Sequence, residues 1–132
     1  VNWKTAKKNW DVRIDERGDS IRSSPAIAEI NGKQAVIFGS RSKRIFAVEL
    51  ESGHRIWDFK TKAMVDSSPA VASGRVFFGT DRGQLIALNT KDGKLAWETD
   101  LGGTISASPA IARQKLVIAN DRGSVFCFGK KK

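Results

Sequence analysis

The sequence predicts an all-β fold built from repeated antiparallel sheets, and a recurring stretch of sequence is the main reason. Residues 67–83, SSPAVASGRVFFGTDRG, return forty positions later as ASPAIARQKLVIANDRG. An earlier copy begins with SSPAIAEINGKQAVIFGS at residues 23–40. A period of this length is typical of repeat architectures. Each copy contains short runs of β-branched and aromatic residues between turn residues, which predicts strands rather than helices.

The middle repeat contains four predicted strands, which we call a, b, c and d in chain order. Residues 75–80 and 84–89 are rich in β-forming residues, and the tight turn TDRGQ joins them as a hairpin. SSPAVA precedes this hairpin and KLAWETD follows it, so each adds a flanking strand. In the first repeat the a and b strands are longer, because EINGKQ places Asn31-Gly32 at the tip of an extended hairpin.

The composition of the strands predicts where each one lies in its sheet. Strands b and c are almost continuously apolar, as in VFF, LVI and IFAV, which favours strands covered on both faces. Strand a contains a proline and small residues, which favours the crowded inner edge of the sheet. Strand d carries tryptophan and charged residues, which suits a broader outer edge. Meander sheets that cover one another in this way are the blades of a β-propeller.

The predicted repeats span approximately residues 7–50, 54–90 and 94–129, and a basic tail follows at 130–132. In this division the chain opens with a d strand near Lys7 to Ile14 that has no preceding blade. Closed propellers have about four to eight blades, so three blades do not close a ring. We therefore expect either a part of a longer propeller or a half-ring that closes six blades with a second copy.

Two segments resemble the tryptophan-docking motif of PQQ-like propeller repeats, whose usual form is Ala-x-Asp-x-x-Thr-Gly-Lys-x-x-Trp. They are AVELESGHRIW at residues 47–57 and ALNTKDGKLAW at residues 87–97. The family includes quinoprotein alcohol dehydrogenases, the propeller lipoprotein of the outer-membrane assembly machinery and non-catalytic bacterial propellers. The resemblance implies that tryptophan rings pack between neighbouring blades, with the docking residues Trp10, Trp57, Trp97, Gly53 and Gly93. It also implies a location in the bacterial periplasm or cell envelope.

The chain carries a formal net charge of +9, and the excess lies towards its two ends. A basic protein attracts anionic partners, but no run of basic residues interleaved with aromatic residues points to nucleic acid. Cys127 is the only cysteine, which excludes an internal disulfide and a cysteine-based metal cluster. It stands at the strand-c position of Ala47 and Ala87, which indicates a small core thiol. No apolar run is long enough for a membrane span.

No catalytic site is evident in the sequence. The only histidine, His54, stands in a predicted turn and does not complete a Ser/His/Asp set. Asp66 is the best candidate for an active-site carboxylate because it enters an inner strand, although structural capping or a turn bond is the favoured explanation. The enzymes of the family hold calcium with acidic and amide side chains and often carry a vicinal disulfide, whereas this chain has no cysteine pair. We predict no catalytic residue, no metal and no cofactor.

A row of basic residues favours a binding role instead. The b–c turns and the d–a connections are expected to share one face, where five basic residues recur: Arg41, Lys43, Lys62, Arg82 and Arg122. These residues could form an arc that binds an acidic protein segment, or they could be solvated turn residues. The leading hypothesis is a non-catalytic propeller module for protein–protein interaction or scaffolding. The alternative is a portion of a PQQ-dependent, quinoprotein-type dehydrogenase whose catalytic blades lie outside this chain.

Overall fold

A computed structural model describes residues 4, 6–14 and 17–129 of the 132-residue chain. These residues form eleven strands: β1 (Ala26–Ile30), β2 (Lys33–Ser40), β3 (Arg44–Glu49), β4 (Arg55–Lys60), β5 (Ala70–Ala72), β6 (Arg75–Gly79), β7 (Gln84–Asn89), β8 (Leu95–Asp100), β9 (Ala110–Ala112), β10 (Lys115–Ala119) and β11 (Val125–Gly129). The prediction of an all-β fold is confirmed. Within the described ranges, nothing helical is long and apolar enough to traverse a lipid bilayer.

The strands form three antiparallel sheets that follow one another along the chain. The strand order is β1-β2-β3-β4 in the first sheet, β5-β6-β7-β8 in the second and β9-β10-β11 in the third. This is the meander predicted for propeller blades. Each of the first two sheets ends with a d strand, β4 or β8, that the division into residues 7–50, 54–90 and 94–129 assigns to the start of the next repeat. The basic tail at 130–132 lies outside the described residues.

Left-handed backbone closes the tight turns between the strands. In the β1–β2 turn, Asn31 and Gly32 have φ angles of 52° and 80°, as an Asn-Gly hairpin requires. In the b–c turns of the second and third sheets, Gly83 and Gly123 have φ angles of 77° and 83°. Lys43 takes the same position in the first sheet with a φ of 63°. The first turn therefore keeps the left-handed residue without a glycine.

The a strands lie at the inner edge of the sheets, because β1 contacts β5 and β5 contacts β9. Polar bonds connect the residues that lead into these strands. The N–H of Ser24 donates to Ser68 Oγ at 2.7 Å, and Ser67 Oγ donates to the carbonyl of Ala107 at 2.9 Å. The prediction that the a strands contain proline is wrong, because β5 begins at the residue after Pro69. Proline has no N–H for the ladder and therefore stays in the connection.

The hydrophobic core lies between neighbouring sheets. One cluster joins the first and second sheets, and a second cluster joins the second and third. The b and c strands of the first two sheets are therefore covered on both faces, as predicted. The third sheet differs, since Val117 and Val125 are 38% and 72% exposed. The prediction of a core thiol at Cys127 is also wrong: this residue is exposed, because no further sheet in the described residues covers that side of β11.

The predicted d strand near Lys7 to Ile14 is absent, because residues 6–14 are not in a strand. A d strand forms by bonding to a c strand, and no described strand pairs with this segment. Its side chains nevertheless pack on the first sheet, where Trp10 and Ile14 contact a cluster of Phe38, Phe46 and Val48. The segment therefore covers part of the outer face of the first sheet.

Candidate functional site

One edge of the sheets carries all the b–c turns and d–a connections, and we call it the loop edge. It consists of residues 41–43, 61–69, 81–83, 101–109 and 121–123. Backbone hydrogen bonds hold each turn against the next connection: the N–H of Asp81 donates to Met64 O at 3.0 Å, and that of Asp121 donates to Thr104 O at 2.9 Å. All five basic residues predicted for the binding face lie on this edge.

Arg41 of the loop edge is bound to Asp66, the carboxylate singled out in the sequence. The Nε and Nη2 atoms of Arg41 donate to Oδ1 and Oδ2 of Asp66 at 2.9 and 2.7 Å. The two side chains are only 29% and 14% exposed. This hydrogen-bonded pair raises the pKa of Arg41 and lowers the pKa of Asp66. The ion pair between Asp66 and Arg41 therefore joins the first sheet to the connection that leads into the second.

A second carboxylate, Asp81, lies in the b–c turn of the second sheet at the repeat position of Arg41. Its Oδ1 atom is buried and has no hydrogen-bond partner among the described residues. Burial raises the pKa of Asp81, and the nearby charge of Asp66 raises it further. Sequence reasoning missed this residue, although the reversal of charge between positions 41 and 81 was a signal that could have found it.

The other four basic residues predicted for the binding face have exposed side chains. Lys43, Lys62, Arg82 and Arg122 point to solvent, and no ion pair within the described part of the chain involves any of them. Their backbone is fixed by the turns and connections that carry them. Four of the five predicted basic side chains are therefore exposed and form no ion pair among the described residues, whereas Arg41 is bound to Asp66.

Replacing Asp66 with asparagine is expected to lower the free energy of unfolding at neutral pH by about 1–3 kcal/mol, because a charge-assisted pair is lost. The folded protein lowers the pKa of Asp66, so this stabilisation is complete above the unfolded pKa of about 3.9 and is lost as the pH falls through the folded value. Urea unfolding of both proteins over this pH range should show the difference shrinking in acid. A difference that stays constant would contradict the pairing.

The predicted docking residues join neighbouring sheets at the opposite edge. The ring of Trp57 lies against Gly93, where an added Cβ atom would be 2.5 Å from the ring. Gly93 has a φ of 72°, so a side chain there would also strain the backbone. The indole N–H of Trp57 donates to the carbonyl of Thr90 at 2.8 Å in a buried position. The first sheet is therefore connected to the c–d turn of the second by an apolar contact and a hydrogen bond.

The other two tryptophans show how far this arrangement extends. Trp10 repeats it on the first sheet, with its ring 2.6 Å from an added Cβ atom at Gly53 and its N–H bonded to Leu50 O at 2.8 Å. Trp97 contacts the rings of Phe77 and Phe128, with centroids 6.0 and 6.2 Å away. Residues 6–14 thus occupy the place of a d-strand tryptophan segment for the first sheet, although they are not paired as a strand.

The resemblance implies a calcium ion and a quinone cofactor, which acidic and amide side chains of the loop edge would have to hold. The described ranges contain no group of three or more His, Cys, Asp or Glu side chains that could hold a metal ion. Asp66, the best-placed carboxylate, is bound to Arg41 through both oxygens. The loop edge therefore offers no group of carboxylates for calcium among the described residues, and Asp66 is already engaged by Arg41.

Comparisons with solved structures show the fold of this chain. It is similar to the quinohemoprotein alcohol dehydrogenase ADHIIG from Pseudomonas putida HK5, with a TM-score of 0.74 and 20% identity over 92% of this chain and 20% of that protein. It is also similar to a europium-containing methanol dehydrogenase, with a TM-score of 0.64 and 17% identity over 84% of this chain and 24% of that protein. The chain therefore spans about a fifth to a quarter of the length of these two enzymes.

Sequence comparison identifies the family. No curated protein matches the chain in sequence. Residues 41–131, which are more than half of the chain, match the PQQ_2 family model, described as outer membrane protein assembly factor BamB. This match covers the paired Arg41, two of the docking tryptophans and most of the strands described above. The chain therefore belongs to the PQQ-like repeat family represented by that model, and its three sheets are blades of a β-propeller type.

Proposed function

We propose that this chain is a non-catalytic propeller module that binds acidic protein segments at its loop edge. The observation that carries the proposal is the set of four exposed basic side chains there, Lys43, Lys62, Arg82 and Arg122, which have no acidic partner among the described residues. Loops on a rigid scaffold are common places for protein binding. The description of the family as an outer membrane assembly factor supports a scaffolding role in the bacterial envelope.

Local electrostatics support an anionic ligand at this edge. Asp66 is neutralised by Arg41 through two hydrogen bonds. This carboxylate therefore offsets little of the field of the four exposed cations. Complementary charge chiefly raises the association rate and the specificity of such contacts.

Replacing both Arg82 and Arg122 with glutamine is expected to weaken binding of an acidic peptide about tenfold, because two of the four exposed cations are removed. The probe is a fluorescently labelled peptide of alternating glutamate and serine, and its anisotropy gives the affinity. A peptide in which glutamine replaces glutamate tests the need for charge, and added salt should weaken binding.

The matched control replaces Lys91 and Lys94 with glutamine. These exposed lysines lie in a c–d turn at the opposite edge of the second sheet, so this variant has the same net charge as the arginine variant. It should bind the peptide as the original protein does. Equal affinity of all three proteins, with circular dichroism showing an intact fold, would refute the loop-edge proposal.

The second candidate is a portion of a quinoprotein-type dehydrogenase, and the similarity to two such enzymes favours it. It differs from the first in requiring a cofactor. Titration with pyrroloquinoline quinone and calcium, followed by quinone absorbance and by protein fluorescence, tests it. Saturable uptake by this chain would favour the enzyme portion, and its absence would leave that candidate without support from this chain.

A further inference from the structure

Arg82 and Arg122 of the loop edge flank one pair of adjacent glycines in the connection between the second and third sheets. The turn that carries Arg82 lies against this pair, because an added Cβ atom at Gly83 would be 2.4 Å from the carbonyl oxygen of Gly102. Arg122 lies against the same pair from the third sheet. Its Nη1 atom is 3.5 Å from the Cβ position of Gly102, and its Cγ atom is 3.2 Å from that of Gly103. Two arginines that are forty positions apart in the chain are therefore brought to one place.

Hydrogen bonds hold this connection to both turns, so the two arginines extend from one rigid unit. On the side of the second sheet, the N–H of Leu101 donates to the carbonyl of Gly83 at 2.8 Å. Thr104 Oγ1 donates to the carbonyl of Asp81 at 2.9 Å. On the side of the third sheet, the N–H of Thr104 donates to Asp121 Oδ1 at 2.8 Å. The backbone that carries one arginine is therefore fixed relative to the backbone that carries the other.

The exposure of both side chains follows from their position in the repeat. Arg82 is exposed although the connection at residues 101–109 packs on its turn. Arg122 stands at the same repeat position, so a connection packed on its turn in the same way would leave it exposed as well. The pair of arginines therefore depends only on the second and third sheets and on the connection between them.

The junction between the first and second sheets shows which group such a turn arginine binds. There Arg41 of a b–c turn binds both oxygens of Asp66, which the following connection supplies. The repeat equivalent of Asp66 in the next connection is Ser106, an exposed residue without a charge. The junction between the second and third sheets therefore has arginines in its turns but no carboxylate at the position that supplies one to Arg41.

We propose that Arg82 and Arg122 together bind one carboxylate, an aspartate or glutamate side chain of an acidic protein segment, at the glycine pair. Guanidinium groups bind carboxylates through directed, charge-assisted hydrogen bonds, and glycines allow a ligand to approach the backbone closely. Asp100 and Asp121 lie in the same region, but one oxygen of each accepts a backbone N–H of the connection. This inference rests on the proposed function and names the group that the loop edge recognises.

A double-mutant cycle with the labelled glutamate–serine peptide tests whether the two arginines act on the same group. If they bind one carboxylate together, Arg82→Gln and Arg122→Gln should each weaken binding about sixfold or more, and the double variant about tenfold. If each contributed separately to a diffuse field, each single variant would weaken binding only about threefold, and the two factors would multiply. Circular dichroism of each variant shows whether the fold is intact.

The cycle separates this inference from the proposed function. Single effects that multiply to the loss in the double variant would overturn the shared carboxylate but leave binding at the loop edge intact. Equal affinity of the original protein and all three variants would overturn both. Single effects that each approach that of the double variant would support the shared carboxylate.

A second test asks whether the planar guanidinium group is needed or only its charge. Arg82→Lys and Arg122→Lys keep the net charge but lose the fork of N–H donors, so each should weaken binding of the peptide at least about threefold. The matched control is Arg75→Lys, since Arg75 is an exposed arginine at the opposite edge of the second sheet. This control should bind as the original protein does. Unchanged affinity in both loop-edge lysine variants would overturn the inference, because charge alone would then account for the binding.

Discussion

Replacing Trp57 with alanine is expected to lower the free energy of unfolding by about 3–5 kcal/mol. The indole ring is only 8% exposed and packs on Gly93 between the first and second sheets. Its removal leaves a cavity at this junction and deprives the buried carbonyl of Thr90 of the indole donor. Urea unfolding, followed by circular dichroism, measures the loss. A cost below about 1 kcal/mol would mean that the junction does not depend on this ring.

Two variants separate the contributions to that loss. Trp57→Phe keeps an aromatic ring but removes the N–H group, so it should cost less than Trp57→Ala. Trp97→Ala should also cost less, because Trp97 is only half-buried and docks on no glycine turn among the described residues. Equal losses for Trp57→Ala and Trp97→Ala would show that deeper burial and docking on a glycine turn are not the cause.

Replacing Gly93 with alanine is expected to lower the free energy of unfolding by about 2–5 kcal/mol. Two effects combine at this position. An alanine at a φ of 72° costs about 1–2 kcal/mol, and its Cβ atom would lie 2.5 Å from the Trp57 ring, which adds an overpacking cost of about 1–3 kcal/mol. Thermal or urea unfolding measures the sum.

Gly74→Ala is the matched control for that substitution. Gly74 has a φ of 74°, but nothing lies within 4 Å of the position of its Cβ atom. Its replacement should therefore show the backbone cost alone. The difference between the two variants reports the contact with Trp57, and it should shrink when both are made in a Trp57→Ala background. A difference that is unchanged in that background would assign the effect of Gly93 to another neighbour.

Much of the fold is predictable from the sequence because the same residue pattern recurs in each repeat. The forty-residue spacing, the turn glycines and the apolar b and c strands together predict the two four-stranded sheets. The start of the a strands is not predictable in this way, since a proline such as Pro69 can stand in an edge strand or just before it. The state of residues 6–14 is not predictable either, because a strand exists only where another strand pairs with it.

The loop edge is only partly predictable. Its basic residues are evident from their recurrence in the turns. The bond between Arg41 and Asp66 joins residues that are twenty-five positions apart and belong to different repeats, so no pattern within one repeat indicates it. The raised pKa of Asp81 depends on burial and on the charge of Asp66. Both effects arise only when the sheets are stacked.

The order of the three sheets has a consequence for how the chain folds. Strand pairing occurs within one continuous stretch of sequence in each sheet, and contacts between strands of different sheets join only sheets that follow one another in the chain. All strand pairs of the described sheets are therefore formed by consecutive strands, and such local pairing favours rapid folding. A sheet can form while the next is still being synthesised and then serve as its template. Assembly can proceed from the first sheet onwards without waiting for the last residues of the chain.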